Sequence, residues 1–223
     1  MMPTSDLLRP ILESPNFRAL LDEMENLWEE EQQKRQEFYD RITPEDKWEF
    51  INGEIIMHSP AKNKHLDATK LLSQLLDLFV RVHDLGSVKS EKALIPTTRN
   101  DYEPDVVFFN KETADHLTPD QWKFPAPSLV VEVLSQDSIT RDRQIKFRDY
   151  ALHGIEEYWI IDPDALTVEQ YHLDMDSQSY VLFAKKVKGD HVECSVIPGF
   201  RAPVDAIFNE KANLAALRDI LKI

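Results

Sequence analysis

The sequence predicts an α+β fold of mixed α/β character, with helices around one central sheet. Three observations carry this. Around Glu132, the run "LVVEVL" holds Val130, Val131, Val133 and Leu134, the pattern of a strand buried on both faces in the middle of a sheet. From about Lys64 to His83, "KHLDATKLLSQLLDLFVRVH" carries Leu66, Leu71, Leu72, Leu75, Leu76, Leu78 and Phe79, a helix buried along a broad side. The segments run helix, hairpin, helix, strands, helix, strands, an interleaving expected of sheet-and-helix layers.

Taken in chain order, residues 16 to 40 place Phe17, Leu20, Leu21, Met24, Leu27 and Trp28 at helical spacing after Ser14 and Pro15. This predicts a long amphipathic helix within an N-terminal helical extension, residues 1–43, that precedes a main domain over 44–223. In "KWEFINGEIIMH", Asn52-Gly53 supplies the two positive φ angles of a type I′ hairpin turn. Ile51 should then pair with Glu54 and Glu49 with Ile56. After the leucine-rich helix, Gly86 marks its end, and strands follow near Val88 to Ile95 and at Asp105 to Phe109. Pro119, Pro125 and Pro127 break the chain up to the strand holding Glu132. Ser138 or Thr140 is placed to cap a helix reaching His153, with Gly154 as its stop. "EYWIID" and "TVEQYHL" read as a strand and a returning strand, "YVLFAKK" and "VECSVI" continue antiparallel, and "AALRDILKI" closes as a short helix.

Composition bounds the function. Hydrophobic residues make up 42% of 223 and charged residues 30%, and no apolar run is long enough to cross a membrane. The opening residues lack the basic, apolar and small-residue pattern of an export signal, so a cytoplasmic location is expected. A single cysteine, Cys194, excludes an internal disulfide and a CxxC zinc site, and its apolar setting suits a small hydrophobe. The net charge of −14 argues against a protein that coats nucleic acid by charge alone. Local basic clusters nevertheless occur at Lys62 and Lys64, at Arg141, Arg143, Lys146 and Arg148, and at Lys185, Lys186 and Lys188.

Glu132 poses the chemical question, because an unpaired carboxylate inside a sheet costs several kcal/mol or takes up a proton. Asp105 stands at the edge of the preceding central strand in "YEPDVVFF". Two such carboxylates on neighbouring strands suit one divalent cation with a hard oxygen shell completed by water. A nearby basic side chain would complete a hydrolytic site for phosphodiesters. The competing possibility is that Asp105 accepts backbone hydrogen bonds and Glu132 pairs with an arginine such as Arg141 or Arg143.

"EPD", then "VEVLS", then a helix with Asp142, Lys146 and Tyr150 spaced by four, then "EYWIIDP", resembles the putative restriction endonuclease family of bacterial proteins in the PD-(D/E)XK nuclease superfamily. The hairpin "WEFINGEIIMHSP" resembles that family's opening, and the likeness extends from Trp48 through Tyr171 and more loosely to "IPGF" at Phe200. The resemblance implies a restriction-endonuclease-like mixed sheet flanked by helices and a magnesium- or manganese-dependent endonuclease acting on DNA. Asp105 and Glu132 would be the metal-binding acids, with the carbonyl of Val133 as a further ligand. The superfamily's usual lysine lies two residues after the glutamate, where this chain has Leu134. Lys146, on the following helix, takes that place in the family, and Glu49 resembles its additional acid. Without the family pattern, Lys146 would be a surface partner of Asp142. Tyr150 reads as a packing residue with a tethered hydroxyl, Glu54 as solvated, and His65 as a helix-start side chain. The alternative function is a nuclease fold that no longer cuts and serves as a binding or assembly module. The apolar stripe of the first long helix, lying outside the family-like domain, predicts a homodimer.

Overall fold

A computed structural model describes residues 4–222. Residues 1–3 of the N-terminal segment and Ile223 of the C-terminal one lie outside them. Helix α1 (Thr4–Leu12) leads into the long α2 (Phe17–Arg41), followed by the hairpin β1 (Trp48–Ile51) and β2 (Glu54–Met57). Asn52 and Gly53 have φ of 51° and 82°, as a type I′ turn requires, and Ile51 pairs with Glu54 and Glu49 with Ile56.

Helix α3 (Asn63–Val82) packs Leu72, Leu75, Leu76 and Val80 on one face of the large sheet. Leu66, counted in its apolar pattern, is exposed, because it falls on the solvent side. The turn after α3 brings Gly86 against strand backbone: a Cβ there would sit 2.1 Å from the Phe109 carbonyl oxygen. Only glycine fits.

The expected central mixed sheet is present, and the described residues form two smaller sheets beside it. The main sheet has six strands in the order β10-β9-β8-β7-β6-β3, with β7 (Leu129–Val133) and β8 (Glu157–Asp162) parallel and the other neighbours antiparallel. Its remaining members are β3 (Gly86–Ser90), β6 (Val106–Asn110), β9 (Thr167–Asp174) and β10 (Ser179–Lys186). The expected strand from Val88 to Ile95 divides at Glu91, whose φ of 70° turns the chain out of the main sheet. It resumes as β4 (Ile95–Pro96), which with β5 (Asp101–Tyr102) and the hairpin forms a four-stranded sheet ordered β2-β1-β5-β4. Between β6 and β7 the expected loop carries one short helix, α4 (Lys111–Ala114).

The "VECSVI" segment does not extend the main sheet either. Its strand β11 (His191–Glu193) pairs with β12 (Arg201–Pro203), leaving Cys194 buried just beyond it. Helices α6 (Asp205–Phe208) and α7 (Glu210–Ile220) close the chain against α3, so the last helix begins earlier than the sequence suggests.

Strand alternation sorts the core. Leu129, Val131 and Val133 face the α3 side, whereas Val130 faces the small sheet together with Val107, Phe109 and Ile160. Glu132 therefore belongs to the second face, as does the position of Asp105, two residues before Val107. In β1, Phe50 packs outward on Phe38 of α2, so Glu49 points the other way, toward the main sheet.

After β7 the helix opens with a π-helical turn (Arg141–Lys146) and continues as α5 (Phe147–Leu152), ending before Gly154 at φ 74°. Thr140 makes no side-chain cap bond. The Ser138 hydroxyl instead accepts from Ser135 N–H, and its carbonyl takes the Asp142 N–H.

Helix α2 is tied to the domain by its last turns. Arg35 donates to both oxygens of Asp101 at 2.7 and 3.0 Å, and Phe38 is fully buried. Further toward its start, Met24, Leu27 and Trp28 are exposed. No helix among the described residues is long and apolar enough to cross a membrane.

Candidate active site

The two sheets part at one end, where the chain crosses between them at Glu103–Asp105 and where β1 brings Lys47 and Glu49 alongside. A cleft of about 800 Å³ opens there, lined by Lys47, His65, Glu103, Asp105, Glu132 and Lys146 among others. In the β6–β7 ladder Val106 pairs with Val131, so Asp105 and Glu132 occupy the next cross-strand position on one face.

Asp105 is 4% exposed, and its carboxylate is fully engaged. Oδ2 accepts from the Val133 N–H at 2.8 Å, while Oδ1 meets Lys47 Nζ at 2.9 Å and His65 Nε2 at 3.3 Å. Burial opposes its ionisation, but His65 and Lys47 outweigh burial and hold it below the usual carboxylate range. Asp105 does accept a backbone hydrogen bond, and the same bond fixes it beside Glu132. For Val133 the structure gives a role to the N–H.

Glu132 meets neither arginine. Its Oε1 accepts from Lys146 Nζ at 2.9 Å and from the Tyr150 hydroxyl at 2.9 Å, whereas Arg143 is taken by Glu169. Lys146 is 2% exposed and touches more than Asp142: Nζ lies 2.8 Å from Glu49 Oε1 and 3.5 Å from Asp142 Oδ1. One ammonium thus serves three buried carboxylates. Burial first, and then the neighbouring carboxylates, drive the Glu132 and Asp142 carboxyls upward despite Lys146, so negative charge is in local excess. Glu49 goes the other way: burial opposes ionisation, but Lys146 and His58 prevail and hold it at about 2. His58 Nε2 approaches Glu49 Oε2 to 3.1 Å without hydrogen-bond alignment.

Lys47, His65, His58, Asp142 and Glu103 were not among the residues picked from sequence. His65 is buried in the first turn of α3, and burial opposes its charge, but Asp105 raises its pKa above the ordinary value. Glu103 is 4% exposed with one oxygen lacking a partner, and burial pushes it up to about 7. For Lys47 the local hint was alternation in "KWE", which sets Lys47 and Glu49 on one side of the hairpin, whereas Glu103 stood in "EPD" and Asp142 in the spaced-by-four pattern with Lys146 and Tyr150. Glu54 is exposed, and Tyr150 is buried with its hydroxyl on Glu132.

A solved structure described as a putative nuclease belonging to DUF820 from Anabaena variabilis aligns with a TM-score of 0.66 at 20% identity, covering 82% of this chain and 97% of that one. An uncharacterized protein, sll1609, from Synechocystis is 33% identical over 135 residues, which is 60% of this chain and 76% of the relative. The profile of the Uma2 family, described as "Putative restriction endonuclease", matches residues 35–205, and the chain belongs to that family.

Proposed function

We propose that the protein is a metal-dependent endonuclease that hydrolyses DNA phosphodiester bonds, with Asp105, Glu132, Lys146 and Glu49 as its working residues. The observation that carries this reading is the placement of two buried carboxylates from neighbouring strands on one cleft, with a buried ammonium against the second. Magnesium or manganese fits the donor set, which is hard oxygen, and one oxygen each of Asp142 and Glu103 is buried without a hydrogen-bond partner. Among the described residues no three His, Cys, Asp or Glu side chains form a ready cage. A half-open shell of Asp105, Glu132 and the Val133 carbonyl, completed by water, is the arrangement these ions accept. Once bound, the ion would polarise the phosphate and acidify a water.

The protein groups have separable tasks. Burial opposes charge on Lys146, but Glu132, Glu49 and Asp142 raise its pKa well above 10.5, so it stays protonated. It therefore stabilises developing negative charge and takes no proton from water. Glu49 remains ionised and anchors that ammonium, while Tyr150 orients Glu132. Lys62 and Arg141 at the cleft supply positive charge for a phosphate backbone in a chain of net charge −14, while Lys64 there is paired with Asp164.

The test is cleavage of supercoiled plasmid with magnesium or manganese, beside Glu132→Gln. Activity in the wild type and its loss in the variant are expected, with Tm in EDTA changed by no more than a few degrees. Glutamine keeps an oxygen for Lys146 and Tyr150 while relieving excess charge. An unchanged rate in the variant would sink the assignment.

A retired nuclease fold acting as a binding module is the second reading. It is favoured by one observation: both acids already have internal cationic partners. Manganese binding separates the two readings.

A homodimer is part of the proposal. Leu7, Leu12, Phe17, Met24, Leu27 and Trp28 leave an apolar face of α1 and α2 exposed, suited to a second copy of the chain. Sedimentation of the full chain and of Leu27→Asp/Trp28→Ser tests it: a dimer that the double substitution dissociates is expected, and a full-length monomer refutes it.

A further inference from the structure

Two lysines neutralise the two acids, and they are not equivalent. Lys146 lies wholly inside, against Glu132, Glu49 and Asp142, with its side chain 2% exposed. Lys47 sits on the cleft wall just before β1, makes one ion pair, to Asp105, and has its side chain 21% exposed. Asp105 Oδ1, which Lys47 occupies, is also the carboxylate oxygen left after the Val133 N–H has taken Oδ2. An incoming divalent ion at Asp105 must therefore compete for the oxygen that holds Lys47. Freeing Lys146 would leave three buried carboxylates, whereas freeing Lys47 releases a partly solvated side chain into the open cleft.

We infer that Lys47 is an exchangeable internal counter-ion: it holds Asp105 in the metal-free protein, and a divalent cation displaces it into the cleft while Lys146 stays in place. This rests on the metal-dependent reading above. No bond is made or broken. The ammonium exchanges its carboxylate for water or a substrate phosphate, and the metal takes its place. His65 remains beside Asp105.

The experiment measures manganese binding by calorimetry for the full-length wild type, Lys47→Met and Asp105→Asn. Removing a charge-assisted competitor should tighten binding in Lys47→Met by roughly tenfold or more, and Asp105→Asn should weaken it in parallel. Equal or weaker binding by Lys47→Met, with wild-type binding intact, overturns the exchange but leaves the metal site standing. Failure of both wild type and Lys47→Met to bind removes the metal reading and this inference together. A second readout needs no variant: lysine acylation of the wild type followed by mass spectrometry. Manganese should raise labelling of Lys47 several-fold while Lys146 stays protected, and unchanged labelling of Lys47 overturns the proposal even if Lys47→Met fails to fold.

Discussion

Replacing Lys146 by methionine removes the one ammonium that Glu49, Glu132 and Asp142 share at 2.8, 2.9 and 3.5 Å. Methionine fills similar space, so the loss is electrostatic. Breaking a buried ion pair from one side costs about 3–5 kcal/mol, because the partner's charge is left without compensation. At this chain length each kcal/mol moves Tm by about 2–4 °C, so a fall of roughly 6–20 °C is expected at pH 8. The pH dependence has a definite sign. Lys146 has a folded pKa raised above 10.5, so its contribution is fully present below that value and is lost only as pH rises through the folded pKa. Across pH 5 to 8 the wild-type lysine is charged throughout. In the variant, Glu132 and Asp142, already pushed up by burial, can neutralise themselves by taking protons, so the deficit should narrow toward pH 5. Circular dichroism melts in EDTA at both pH values measure this. A fall below about 3 °C at pH 8, or a deficit of the same size at pH 5, would show that the three carboxylates do not depend on Lys146.

Other outcomes follow from neighbouring groups. Glu103 has a folded pKa of about 7 against an ordinary 4.5, so its ionisation costs stability increasingly as pH rises from 4.5 to 7. Glu103→Gln should therefore be more stable than wild type at pH 8, by on the order of 1–3 kcal/mol, and equal to it near pH 4, as measured by denaturant titration. Arg35→Met leaves Asp101 buried with only the Tyr39 hydroxyl and should cost about 3–5 kcal/mol in urea unfolding. A loss under about 1 kcal/mol would mean that α2 is not fastened at that point.

Local patterns made part of this readable. Asn52-Gly53 fixed the hairpin register, and the unbroken apolar run around Glu132 announced a strand buried on both faces. That Asp105 and Glu132 stand on neighbouring strands also followed from strand order, whereas the antiparallel register that sets them opposite each other did not. What stayed hidden depends on long-range contact or on very short elements. Lys47 reaches Asp105 across 58 positions, and nothing in "DKWEF" announces that partner. Strands β4 and β5 have two residues each, too few for any period to show, so the second sheet could not be seen. The turn at Glu91 uses a positive φ without glycine, and the sequence gives no sign of it. The π-helical turn has the same spacing of Asp142 and Lys146 as an ordinary helix, so it was indistinguishable.

That wide turn has a consequence for how the protein tolerates insertions and deletions. A π turn holds one residue more than an α turn, and each residue of an α-helix rotates the next by about 100°. Deleting a single residue between Arg141 and Gln144 would let the segment relax to a regular helix and leave everything after it facing nearly as before, because the wide turn's six residues rotate the chain through about the same angle as one residue fewer in an α-helix. Lys146 and Tyr150, both partners of Glu132, lie after it. A one-residue deletion in the regular helix that follows, between Phe147 and Asp149, has no such slack and would turn Tyr150 by about 100° away from Glu132. The wide turn is thus where the helix can absorb a change of length that the turns after it cannot, a difference that substitution scanning does not read and deletion scanning through both segments would reveal.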